Sequence, residues 1–109
     1  MIGAILAAAA AAVVTPVGVS EREWHLTPYA SVVRHGTVRF AVHNFGEDAH
    51  DLQITGPPGP RGYRSAVTPD IAPGANATLT VRLRPGVYRL LCVKPGHVAK
   101  GMRATLRVR

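Results

Sequence analysis

Thr37-Val38-Arg39-Phe40-Ala41-Val42-His43 alternates apolar and polar side chains with a period of two. Val38, Phe40 and Val42 fall on one face, and Thr37, Arg39 and His43 on the other. That period is the mark of a half-buried β-strand, because successive Cβ atoms point to opposite sides of the chain. Working outward, Thr78-Leu79-Thr80-Val81-Arg82-Leu83-Arg84 repeats the pattern, and the last stretch sets Ala104, Leu106 and Val108 against Thr105, Arg107 and Arg109. Turn formers separate these runs: His35-Gly36, Pro73-Gly74, Pro85-Gly86 and Pro95-Gly96. Each fixes or frees a φ angle in a way that ends a strand. Trp24 to Val33 and Gln53 to Thr55 read as shorter strands, and Gly56 to Gly62, with three prolines, reads as a surface loop. Short strands at this spacing, without an amphipathic helix, predict an all-β fold built as a β-sandwich.

Composition narrows the classes further. A chain of 109 residues supports one core, and 47% hydrophobic residues exclude intrinsic disorder. One cysteine, Cys92, excludes a disulfide scaffold. Thirteen Lys and Arg against six Asp and Glu give +7, yet aromatic residues are only 6% and no dense basic run occurs, so a nucleic-acid partner is not expected. Arg39, Arg82, Arg84, Arg107 and Arg109 take outward positions on strands, where cations ordinarily form a solvated face. The functional version of the same charge is a field that draws an acidic partner or an anionic membrane surface.

The first twenty residues differ from the rest. Met1 to Val14 reads MIGAILAAAAAAVV, and no charged side chain precedes Glu21. This is the apolar region of an export signal, with small-x-small cut points after Ala12 and Ser20. A retained membrane anchor is the alternative, although Pro16 and Gly18 weaken a spanning helix. Residues 1–20 are therefore read as a signal peptide or N-terminal anchor and 21–109 as the domain. Either reading expects an extracytoplasmic location, periplasmic or at the cell surface.

The chemistry gathers in Tyr88-Arg89-Leu90-Leu91-Cys92-Val93-Lys94-Pro95-Gly96-His97-Val98-Ala99-Lys100-Gly101-Met102. Four residues separate Cys92 from His97, and four separate His97 from Met102. Cys92 shares parity with Tyr88 and Leu90, which points it to the apolar side, and the turn at Pro95-Gly96 can bring His97 and Met102 beside it. Upstream, His50 follows a strand end and is the natural fourth donor. Two imidazoles, a thiolate and a weak thioether are the ligand set of a blue-copper electron-transfer site. Zinc would take the same histidines and cysteine but gains little from a thioether.

In these residues the chain resembles the small cupredoxins, the type 1 copper proteins of the plastocyanin and azurin kind. The resemblance rests on Asn44-x-Gly46-x-x-x-His50-Asp51-Leu52, Tyr88-x-Leu90-x-Cys92, Pro95-Gly96-His97 and Gly101-Met102, in that order. The four-and-four spacing is closer to sulfocyanin- and auracyanin-like members. The resemblance implies a Greek-key sandwich holding one copper ion through His50, Cys92, His97 and Met102. Asp51 stands where many members carry an Asn that braces the ligand loop. The resemblance also implies a one-electron carrier, not an enzyme, with redox partner proteins and no small-molecule substrate. Electrons would pass through His97, with Lys94 and Lys100 at the edge of the site.

Plainer readings stand beside this one. Cys92 alone would be a buried small hydrophobe, Met102 a core residue, and His50 and His97 solvated histidines. His25, His35 and His43 have no such company and are read as structural or exposed. The rival functions are a copper chaperone or store and a metal-free β-sandwich interaction module. Only two methionines, one of them Met1, argue against the store.

Overall fold

The alternating stretch Thr37–His43 forms the middle of a nine-residue strand, and its apolar face is buried: Val38 and Phe40 are 0% exposed and Val42 1%. A computed structural model describes residue 3 and residues 13–57 and 65–109 of the chain. The strands are β1 (Val14–Arg22), β2 (His25–Pro28), β3 (Val32–Val33), β4 (Gly36–Asn44), β5 (Gln53–Thr55), β6 (Ser65–Val67), β7 (Asn76–Leu83), β8 (Gly86–Leu91) and β9 (Arg103–Val108). A single helical turn, α1 (His97–Lys100), lies between β8 and β9. The surface loop expected over Gly56 to Gly62 lies, from residue 58 onward, outside the described residues.

Two sheets face one another, one ordered β2-β1-β4-β7 and the other β3-β9-β8-β5-β6. Most neighbours are antiparallel, but β1 runs parallel to β4 and β3 parallel to β9. The core lies between the sheets. Val17, Val19, Val38, Phe40 and Val42 come from the first, and Ile54, Tyr88, Leu90, Leu106 and Val108 from the second. Alternation along each strand leaves most polar residues outside, as two packed inner faces require, with Glu21 of β1 and Asn44 of β4 buried.

β1 runs across the boundary expected at position 21. Among the described residues the sandwich includes Val14, seven residues before position 21, and Val17 and Val19 are each 2% exposed. Val14 to Glu21 pairs in parallel register with Thr37 to Asn44, so these residues belong to the sandwich. The alanine-rich run before them hides the strand in the sequence, and Pro16 and Gly18 read as breakers. Pro16 is tolerated at an exposed position on the strand, and Gly18 makes room for Tyr29, whose ring would collide with a Cβ. The segment Trp24 to Val33 forms two short strands, β2 and β3, which belong to different sheets.

The topology gives the sandwich two ends. At one lie the C-terminal ends of β1, β4 and β8 and the start of β9. At the other lie the start of β1, the β3–β4 and β7–β8 turns and the end of β9. The chemistry-bearing residues are at the first.

Candidate metal centre

Cys92 follows directly on β8 and continues its alternation, so its side chain enters the interior and is 0% exposed. Its backbone N–H donates to the Met102 carbonyl at 3.1 Å, and the Met102 N–H donates to the His97 carbonyl at 3.1 Å. These two bonds close the Cys92–Met102 loop upon itself. Gly96 makes the reversal possible: its φ of 80° is left-handed, a conformation glycine adopts without steric cost. Beyond the turn expected at Pro95-Gly96 the loop contains the helical turn α1. The turn places His97 back toward Cys92.

His50 arrives from the other side. Its backbone exchanges two hydrogen bonds with Ile71, at 3.1 and 2.7 Å, which fix the residue in the segment between β4 and β5. Asn44 holds that segment in shape. Its side-chain amide donates to the Asp48 and Ile71 carbonyls at 2.8 and 2.9 Å, and its oxygen accepts from the Gly46 N–H at 2.8 Å. Asp51 links the His50 segment to the residues around Cys92. Its N–H points at Cys92 Sγ (3.5 Å), and its Oδ1 accepts from the Val93 N–H at 2.8 Å.

The result is a triangle of donors. His50 Nδ1 and His97 Nδ1 are 3.2 Å apart, His97 Nδ1 and Cys92 Sγ 3.4 Å, and Cys92 Sγ and His50 Nδ1 3.8 Å. A point equidistant from all three lies about 2.0 Å from each, close to the ~2.0–2.3 Å of metal–nitrogen and metal–thiolate bonds. The three residues form a group able to hold a metal ion. Met102 is 0% exposed, and its backbone is tied to both Cys92 and His97. His25, His35 and His43 stay apart: His35 bonds the Arg109 carbonyl, and His43 meets Asn76 Oδ1 and the Phe45 ring.

Burial sets the charge states. It pushes the Cys92 thiol up to about 11, the nearby Asp51 and Glu21 adding to the rise while backbone hydrogen bonds oppose it. A cation in the triangle is what would make this thiol a thiolate at neutral pH. His97 is shifted below the ordinary imidazole range, first by desolvation and then by His50, which favours the neutral, ligating form.

Three residues that sequence reasoning did not single out complete the centre. Glu23 Oε1 lies 3.0 Å from His50 Nε2, and its carboxylate also accepts from the Glu47 and Asp48 N–H groups, the latter at 2.7 Å. Hydrogen bonding from the Asp48 backbone, with smaller help from Glu47 and His50, lowers its pKa to about 2. An ionised carboxylate only accepts, so His50 Nε2 carries the proton and the Nδ1 lone pair faces the triangle. Trp24 packs edge-on against His97 with ring centroids 4.9 Å apart, and Lys100 Nζ lies 4.1 Å over the indole. Glu21 is 0% exposed with neither carboxyl oxygen hydrogen-bonded, and burial, helped by Asp51, raises its pKa to about 8. None of the three belongs to a recognisable motif.

No protein-family model and no curated protein sequence matches the chain. Solved structures do. The chain is similar to a dithionite-reduced auracyanin from the photosynthetic bacterium Roseiflexus castenholzii, at 21% identity and a TM-score of 0.69, over 87% of this chain and 97% of that one. It is similar to auracyanin A, a "blue" copper protein from Chloroflexus aurantiacus, at 15% identity and a TM-score of 0.70, over 88% and 99%. A Cu-containing nitrite reductase from Thermus scotoductus matches at 17% identity and a TM-score of 0.57, with 88% of this chain covering 30% of the enzyme. The shared feature is the fold: this chain has the cupredoxin β-sandwich.

Proposed function

We propose that the chain is a one-electron carrier that holds a single copper ion through His50, Cys92 and His97, with Met102 as the weak fourth ligand. One observation carries the reading. Two imidazole nitrogens and a thiol sulfur, up to 47 positions apart in the chain, converge on a point at metal-bonding distance from all three. Soft sulfur favours Cu(I), imidazole suits both oxidation states, and a trigonal His₂Cys set with a distant thioether is the arrangement associated with electron transfer. Zinc fits the three donors less well, since its usual fourth partner is a carboxylate, thiolate or water.

The bound ion supplies the one-electron chemistry. The chain's residues supply the rest: Glu23 fixes the His50 tautomer, Asp51 and the Cys92–Met102 bond fix the sulfur, and the sandwich keeps water from Cys92 and Met102. With four protein ligands no position is left for a substrate, so the reading is of a carrier and not an enzyme, acting on redox partner proteins. His97, partly exposed under Trp24, is the edge through which electrons pass.

The apolar leader supports an extracytoplasmic location. A cut after Ala12 leaves β1 whole, whereas a cut after Ser20 removes Val17 and Val19 from the core, so the first is the cut consistent with a folded domain. A copper store is the rival, and cyclic voltammetry of the copper-loaded protein separates the two. A carrier gives reversible oxidation and reduction over many cycles with the metal retained; loss of copper on each reduction supports the store.

A further inference from the structure

Charge is uneven between the two ends of this molecule: the end with the metal centre mixes carboxylates with the cations Arg22, Lys94, Lys100 and Arg103, whereas the opposite end carries arginines without carboxylates. All six carboxylates, Glu21, Glu23, Glu47, Asp48, Asp51 and Asp70, belong to the end that carries the metal centre. Glu23 bonds His50, Asp51 bonds Val93 beside Cys92, and Asp70 pairs with Lys94 at 2.7 Å. Glu21 stands in register with Asn44, whose amide bonds Asp48. The opposite end holds Arg34, Arg82, Arg84, Arg107 and Arg109, all exposed, and among the described residues none of them is paired with a carboxylate. The pairings that gather them are explicit. Thr37 faces Arg82 and Gly36 faces Leu83, Val87 faces Arg107, and the His35 N–H donates to the Arg109 carbonyl at 2.7 Å.

Apolar side chains are exposed among these arginines: Val32 at 46%, Val87 at 55% and Val13 at 84%. Val13 leads into β1, whose first residue pairs with Thr37, so the apolar stretch that precedes it joins the domain at this same end. Cations interspersed with exposed apolar groups are what an interface of phosphate headgroups and acyl chains accommodates. From Gly86 to Cys92 the chain runs along β8, so the metal centre stands about 20 Å from this end.

We propose that the arginine-bearing end is a docking surface for an anionic lipid bilayer, which holds the domain with its metal centre turned away from the membrane. The five arginines supply attraction to phosphate-bearing headgroups, and Val13, Val32 and Val87 supply shallow apolar contact. At the other end the carboxylates offset Arg22, Lys94, Lys100 and Arg103, so the same surface attracts that end less and the arginine-bearing end is the one that docks. The inference rests on topology and charge and stands whether or not the triangle binds copper.

Sedimentation of the full chain with vesicles tests it, comparing phosphatidylglycerol–phosphatidylcholine mixtures with phosphatidylcholine alone. The leader contributes alike to both, so the ratio of the two partition coefficients reports the arginines. We expect this ratio to fall by roughly 25-fold in Arg84→Gln/Arg109→Gln, about fivefold per arginine, and to change less than about threefold in the equally neutralised Arg39→Gln/Arg89→Gln. The single tryptophan, Trp24, reports orientation, because it packs against His97 at the far end. Short-range quenching by brominated lipid should leave its emission unchanged on bound vesicles. A ratio near one in the native chain, equal losses in the two double variants, or quenching of Trp24 would each overturn the proposal.

Discussion

Glu23 and His50 meet through a 3.0 Å hydrogen bond from imidazole Nε2 to carboxylate Oε1, although they lie 27 residues apart, Glu23 between β1 and β2 and His50 between β4 and β5. The carboxylate does two things at once. It gathers the Glu47 and Asp48 N–H groups that shape the segment before His50, and it fixes which imidazole nitrogen faces the metal position. Glu23→Ala is therefore expected to weaken copper binding by about 10–100-fold, measured by competition with a chelator of known affinity. Glu23→Gln, which keeps an acceptor but not the charge, should fall between. Native affinity in Glu23→Ala would show that the bond is incidental.

Glu21 predicts an unusual dependence of stability on pH. Its folded pKa, about 8, exceeds the ordinary 4.5, so between these values the folded state binds a proton that the unfolded state has released. Stability contributed by this group is full below pH 4.5, falls as pH rises, and levels off above 8. Urea unfolding of the metal-free chain from pH 5 to 8.5 should show that decline, on the order of a few kcal/mol, and Glu21→Gln should flatten it. Glu23 acts in the opposite sense: its stabilisation is present above pH 4.5 and is lost as pH falls through about 2.

Cys92 should be unreactive in the folded, metal-free chain. It is 0% exposed, and its thiol is pushed up to about 11, so the thiolate fraction at pH 8 is roughly a hundredfold below that of an ordinary cysteine. Alkylation monitored by mass should be slow until urea unfolds the chain. Rapid labelling under native conditions would contradict the buried placement.

Met102 is assigned the weak fourth contact, so its replacement should tune the site without abolishing it. Met102→Leu is expected to keep the thiolate charge-transfer band and the fold while shifting the reduction potential, because the axial ligand is a principal determinant of that potential. An unchanged potential would make Met102 a packing residue.

The sandwich was legible where one sheet face is dry and the other wet. β4, β7 and β9 alternate cleanly because each has a single buried face, and the turns between strands carry proline or glycine. β1 was obscured because its valines follow an unbroken apolar run, so the period of two has only Thr15 as a polar partner before Ser20. The four proposed ligands were legible because sulfur and imidazole are scarce and their spacing surrounds a Pro-Gly turn. Glu23 and Glu21 were not, since their roles come from β1 lying parallel to β4, a long-range pairing that no local pattern encodes. The helical turn at His97–Lys100 is four residues long, too short for periodicity to register.

The central claim is that His50, Cys92 and His97 bind one copper through the sulfur of Cys92, and Cu(II) titration followed by optical absorption tests it most directly. The account predicts an intense visible band that saturates at one equivalent and is absent in Cys92→Ala, with the circular dichroism of the sandwich retained in both. No such band in the native chain, or the same band in Cys92→Ala, would contradict it.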